Sequence, residues 1–78
     1  MALTNDEAEV LRLVAAGAAS AHDVARFGGP DVVRAVKVLV GLERQGLVER
    51  CVLRDGDGAV RYAAHFVTPV GQRRIRVA

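Results

Sequence analysis

Seventy-eight residues, 51% of them hydrophobic and 26% charged, describe one small domain and exclude a disordered chain. No apolar run approaches the roughly 18 residues of a membrane span, and Met1-Ala-Leu-Thr-Asn-Asp6 lacks the basic and apolar regions of a secretion signal, so a cytoplasmic domain is expected. The net charge of +2 conceals an asymmetry. Residues 1–23 carry one base against four acids, a net −3, whereas residues 24–78 carry ten bases against five acids, a net +5, which suits a polyanionic partner.

In chain order, Thr4-Asn-Asp-Glu7 has the S/T-x-x-E form of a capping box. It predicts a first helix over about 5–16, with Leu11, Val14, Ala15 and either Ala8 or Val10 facing the core, and Gly17 as its stop. Ser20-Ala-His-Asp23 repeats the cap, predicting a brief second helix over about 21–27 that packs through Val24, Ala25 and Phe27. Gly28-Gly29-Pro30 breaks it. Pro30 suits the first position of the next helix, with Asp31 close behind in its positive first turn.

The third helix, over about 30–45, is the centre of the pattern. Ala35, Val38, Leu39 and Leu42 recur at i, i+3, i+4 and i+7, one buried stripe. Gly46 then ends the helix cheaply in the left-handed conformation, and Leu47-Val48 opens a strand at once. Residues 47–67 read as a hairpin about the turn Asp55-Gly-Asp-Gly58, whose glycines supply positive φ angles. Cys51, the only cysteine, excludes an internal disulfide and reads as a strand thiol packed like a small hydrophobe. Thr68 as N-cap and Pro69 as first residue predict a short last helix over about 69–76.

The string Leu42-Glu-Arg-Gln-Gly-Leu-Val-Glu-Arg50 resembles the end of the recognition helix and the first wing strand of winged helix-turn-helix proteins such as the MarR and PadR-like transcription regulators. The Thr68-Pro-x-Gly71 segment resembles the stretch that follows the wing in those families. The resemblance covers residues 4–76 and implies an α+β winged helix-turn-helix: a three-helix bundle, a two-stranded wing and a short C-terminal helix. The long extra helices with which those families dimerise or enclose a ligand have no counterpart in the sequence, so no ligand-sensing site and no cofactor is carried over.

The resemblance further implies that the third helix enters the major groove of double-stranded DNA and that the wing touches the adjacent backbone. Arg34 and Lys37, one turn apart on the outward face, are then the candidates for base or phosphate contact, with Arg44, Arg54 and Arg61 on phosphates. Each has a plainer role open to it. Arg34 and Lys37 also serve as solubilising charges, and Arg54 and Arg61 also suit pairing with Asp55 or Asp57 across the hairpin. Arg73, Arg74 and Arg76 read as a solvated tail, and His22 and His65 as surface and strand histidines.

Val33, Val36 and Val40 complicate this assignment, because base edges call for hydrogen-bonding side chains and three outward valines form an apolar patch. Two accounts follow: a shifted helix register that buries part of the patch, or a winged helix that uses this face, or another, to bind protein, as a homodimer seam or a docking surface for a larger machine. Catalysis finds no support. There is no Ser-His-Asp or Cys-His spacing, Gly28-Gly29 lacks the strand and lysine of a phosphate loop, and Cys51, His22 and His65 are too few at recognisable spacing for zinc.

Overall fold

A computed structural model describes residues 2–77, apart from the side chains of Leu53, Val60, Arg61, Tyr62, Ala63 and Val77. Its elements run α1 (Asn5–Ala15), α2 (Ala21–Arg26), α3 (Val32–Arg44), β1 (Val48–Arg54), β2 (Val60–Val67) and α4 (Pro69–Val77). Three helices are thus followed by an antiparallel hairpin and a last short helix, the winged helix-turn-helix arrangement.

The helix starts follow from their caps. Thr4 and Glu7 form the reciprocal capping box, Thr4 Oγ1 accepting from the Glu7 amide at 3.1 Å and Glu7 Oε1 from the Thr4 amide at 2.9 Å. Ser20 caps α2 by accepting from the Asp23 amide. In α3 the cap is Asp31, whose carboxylate accepts from the Arg34 amide at 2.9 Å. The helix therefore begins at Val32 rather than at Pro30, because an aspartate side chain satisfies an amide that a proline ring leaves open.

The helix ends share one device. The Gly46 amide donates to Glu43 and the Leu47 amide to Leu42, each at 3.0 Å, with Gly46 at φ +75°. This pair of bonds is the Schellman motif. It recurs after α1, around Gly17, and after α2, around Gly28, so these helices stop at Ala15 and Arg26, one residue short of the predicted bounds.

The core gathers Val10, Leu11 and Val14 of α1, Val24 of α2, Ala35, Leu39 and Leu42 of α3, and Leu47 and Val48 at the mouth of the hairpin. Burial of each large apolar side chain contributes about 1.5–3 kcal/mol, a large share for so short a chain. Three expectations need correcting. Ala15 is exposed because Val10 and Leu11, with Val14, already fill the inward stripe of α1. Phe27 is half exposed because α2 has ended and the chain is turning outward at that point. Cys51 is exposed although its cross-strand partner Ala64 is buried, so it is the alanine of β2 that meets the body of the domain there.

The hairpin pairs Val48 with Val67 through Leu53 with Tyr62, then shifts so that Arg54 faces Val60 and Arg61 becomes the extra residue of a bulge. Of the two glycines in its turn only Gly58 has a positive φ, +84°; the Asp55 carboxylate holds the turn by accepting from the Asp57 and Ala59 amides. The link at residues 18–20 meets β2 through one carbonyl. Ala19 O accepts from the His65 amide and, from the ring, His65 Nδ1, both at 2.9 Å.

Thr68 joins both ends of the hairpin to α4. Its amide donates to Leu47 O at 3.0 Å, its hydroxyl donates to Gly46 O at 2.6 Å, and the same oxygen accepts from the Gly71 amide at 3.0 Å. Gly71 lies so close that a Cβ there would sit 2.2 Å from Leu47 O and 2.7 Å from Val67 Cγ1. A Cβ on Gly41, inside α3, would meet nothing within 4 Å. Gly71→Ala is accordingly expected to lower the unfolding free energy by about 1–3 kcal/mol, and Gly41→Ala to raise it by about 0.5–1 kcal/mol. Urea denaturation of the two variants beside the parent chain checks both signs.

Candidate nucleic-acid interface

The inward stripe of α3 leaves the opposite face to solvent. Ala35, Leu39 and Leu42 are buried, Val38 is partly buried, and Val33, Val36, Lys37, Val40 and Arg44 point away from the core. The register is the one the apolar spacing predicts, and the valines are not absorbed by it: Val33 is 69%, Val36 48% and Val40 41% exposed. The account in which a shifted register hides part of this patch is therefore overturned, since Ala35, Leu39 and Leu42 leave no turn of the helix free to rotate inward. Lys37 and Arg44 stand on the same face, and no ion pair engages either among the described residues.

Arg34 occupies a different position. The rotation of about 100° per residue sets it toward α1, where its Nε donates to Asp6 Oδ2 at 2.5 Å. The bond uses Nε, so the paired Nη groups stay available as donors. Beside it, Glu7 reaches the far end of the same helix: Gln45 Nε2 donates to Glu7 Oε2 at 2.7 Å and to Gly41 O at 3.2 Å. Two adjacent acids of α1 thus brace α3 near both ends, and an open groove lined by Thr4, Asp6, Val33, Arg34, Lys37 and Gly41 runs between the helices.

On the hairpin, Arg54 is exposed and its Nη1 donates to Gly58 O at 3.0 Å, which ties it to the turn rather than to Asp57. The Arg61 side chain lies outside the described residues. Sequence reasoning passed over Arg50. It is exposed on β1, and with Val36, Val40, Glu43 and His65 it lines a second depression between α3 and the hairpin. The alternation of β1 puts Arg50 on the face of buried Val48, yet beside half-buried His65 it stands exposed at the rim of this depression. Among the described residues no group of three or more His, Cys, Asp or Glu side chains is placed to hold a metal ion, and no helix is long and apolar enough to cross a membrane.

No sequence-family model matches the chain, and neither does any curated protein. Solved structures do. MepR of S. aureus, in a structure bound to ethidium bromide, superposes with a TM-score of 0.75 at 22% identity, over 95% of this chain and 53% of that one. The PcaV transcriptional regulator of Streptomyces coelicolor, in complex with its natural ligand, gives 0.72 at 25% identity over 95% and 51%. CouR of Rhodococcus jostii RHA1, bound to p-coumaroyl-CoA, gives 0.69 at 26% identity over 96% and 52%. The fold matches that of winged helix-turn-helix regulators of the MarR and PadR-like kind, and the chain spans about half the length of the solved chains it resembles.

Two carboxylates in this scaffold are held below the ordinary carboxylate range. For Glu7 the main cause is the Thr4 amide, then the Gln45 side chain; for Asp23 it is the Ala19 amide, then Arg26. A carboxyl that ionises more readily when folded adds stability that is complete above its unfolded pKa and is lost as pH falls through its folded pKa. The chain is therefore expected to be most stable against urea near neutral pH and to weaken progressively in acid. In Glu7→Gln, which has no proton to take up at that position, stability at pH 7 is lower and the fall with acid shallower. Urea midpoints measured from pH 7 down to pH 3 check both.

Proposed function

We propose that this chain is the DNA-binding part of a transcription regulator, α3 entering the major groove of double-stranded DNA and the hairpin lying along the flanking backbone. The observation that carries the reading is the outward face of α3. On the second helix of a helix-turn-helix unit, Lys37 and Arg44 stand exposed without a carboxylate partner, in a fold shared with a transcriptional regulator. Arg54 and Arg61, at the two shoulders of the wing turn, and Arg50 at its base add charge directed at phosphates. A single module of this size reads one half-site, so a second copy or a partner protein supplies the affinity a regulator needs.

Arg34 has a separate role in this reading. Asp6 steadies its guanidinium through Nε, which orders the Nη pair for bidentate contact with guanine O6 and N7 at the border of the site. Arg34→Ala is expected to cost about 1–3 kcal/mol at the preferred sequence and to relax the preference at one base pair. Selection of binding sites from a random duplex pool, run with both proteins, reads that change; identical selected sequences would remove Arg34 from the interface.

The decisive test is fluorescence anisotropy of a labelled mixed-sequence duplex over a series of salt concentrations. Four to six phosphate contacts give a log–log slope of roughly −4 to −5, and Lys37→Ala or Arg44→Ala should each lower the slope by about one. Absence of binding at low salt would overturn the reading. The exposed valines of α3 favour a second one, a winged helix that docks protein through this face.

A further inference from the structure

The recognition face can read base edges through charged side chains alone, and the rest of it is apolar. Between Val33 and Arg44, the exposed and half-buried positions away from the core stripe are Val33, Arg34, Val36, Lys37, Val40, Gly41, Glu43 and Arg44, with no serine, threonine, asparagine or glutamine among them. Val33, Val36 and Val40 fall at i, i+3 and i+7 and form one apolar stripe, with Lys37 and Arg44 alongside it and Arg50 at its hairpin edge. A stripe of methyl groups with Lys37, Arg44 and Arg50 free of ion pairs among the described residues along it, and with Asp6 and Asp31 at its Val33 end and Glu43 near Val40, complements over most of its length a surface that is itself apolar and bordered by anions. In the major groove that surface is the C5-methyl group of thymine, set between two phosphate backbones.

Resting on the DNA-binding reading above, we infer that α3 recognises its site chiefly through thymine methyl groups, which Val33, Val36 and Val40 contact, with Lys37 and Arg44 on the adjacent backbone or base edges. From residue 33 to residue 40 the helix rises about 10 Å, the length of roughly three base-pair steps of 3.4 Å. The element read is therefore a short run containing thymines on the strands that face the stripe. A leucine- or phenylalanine-lined protein groove would also cover valines, but it offers nothing for the cations that flank them, whereas the duplex satisfies both at once.

The test replaces thymidine by deoxyuridine throughout a short A·T-rich duplex, which removes the methyl groups and keeps every base pair. Anisotropy titrations at fixed salt are expected to show weaker binding of the uridine duplex, by about fourfold for each methyl in contact. A G·C duplex carrying 5-methylcytosine should bind more tightly than its unmethylated counterpart, since that methyl occupies the same place in the groove. Val33→Ser/Val36→Ser, changes at solvent-exposed positions, should reduce both differences to what Val40 alone supplies and keep the salt slope of the parent chain.

Equal affinity for thymidine and uridine duplexes, with the expected salt slope intact, would overturn this inference and leave the proposed function standing. A thymidine preference without a gain from 5-methylcytosine would assign the effect to duplex flexibility and overturn it likewise. Failure to bind any of these duplexes at low salt would overturn both. Concentration-dependent self-association abolished by Val36→Asp would then assign the stripe to protein.

Discussion

Everything in this domain depends on how the chain turns from α3 into β1. The Schellman bonds of Gly46 and Leu47 stop the helix and reverse the chain within two residues, and they leave Leu42 and Leu47 buried against the same core. Thr68 then closes the far end of the hairpin onto this corner, and the missing Cβ of Gly71 lets α4 pack against the Leu47 carbonyl. One corner thus sets the direction of the wing, the seat of the last helix and the angle at which α3 is presented.

That presentation divides the cations by environment. Arg26 and Arg34 are engaged by Asp23 and Asp6, whereas Lys37, Arg44 and Arg50 keep their charges free of ion pairs among the described residues. The pairs are exposed, so each adds little to stability; their effect is to fix where a guanidinium sits. The acids of α1 reach one edge of this face, Asp6 and Glu7 lining the groove beside Val33 and Lys37, so the formal net charge of +2 is spread unevenly over it. The same division explains why an apolar stripe is tolerated there: it is narrow and bordered by charge.

Much of this was legible in the residues. The capping box at Thr4 and Glu7, the Ser20 cap, the stop at Gly46 and the Thr68 cap each depend on groups at most five positions apart, and the α3 stripe and the two strands show in the local spacing of their apolar residues. Local order of this kind is written in the chain, and the winged helix-turn-helix follows from the succession of its elements. Composition marked the basic half, and helical spacing marked Val33, Val36, Val40, Lys37 and Arg44 as outward.

The remainder was decided by contacts between residues far apart. Arg34 is paired with Asp6 across 28 positions and Gln45 with Glu7 across 38, so no local pattern separates Arg34 from Lys37. The exposure of Cys51 and Arg50 follows from how the hairpin packs against the helices, a property of the packed body, whereas Phe27 is exposed at the local stop of α2 before Gly28. The sequence by itself determined which elements form and which side of α3 is apolar enough to bury, because hydrogen bonding and periodicity act over one or two turns. Only the tertiary structure decided which charges remain free and which strand face meets water, because burial and ion pairing are settled by whatever distant segment packs alongside.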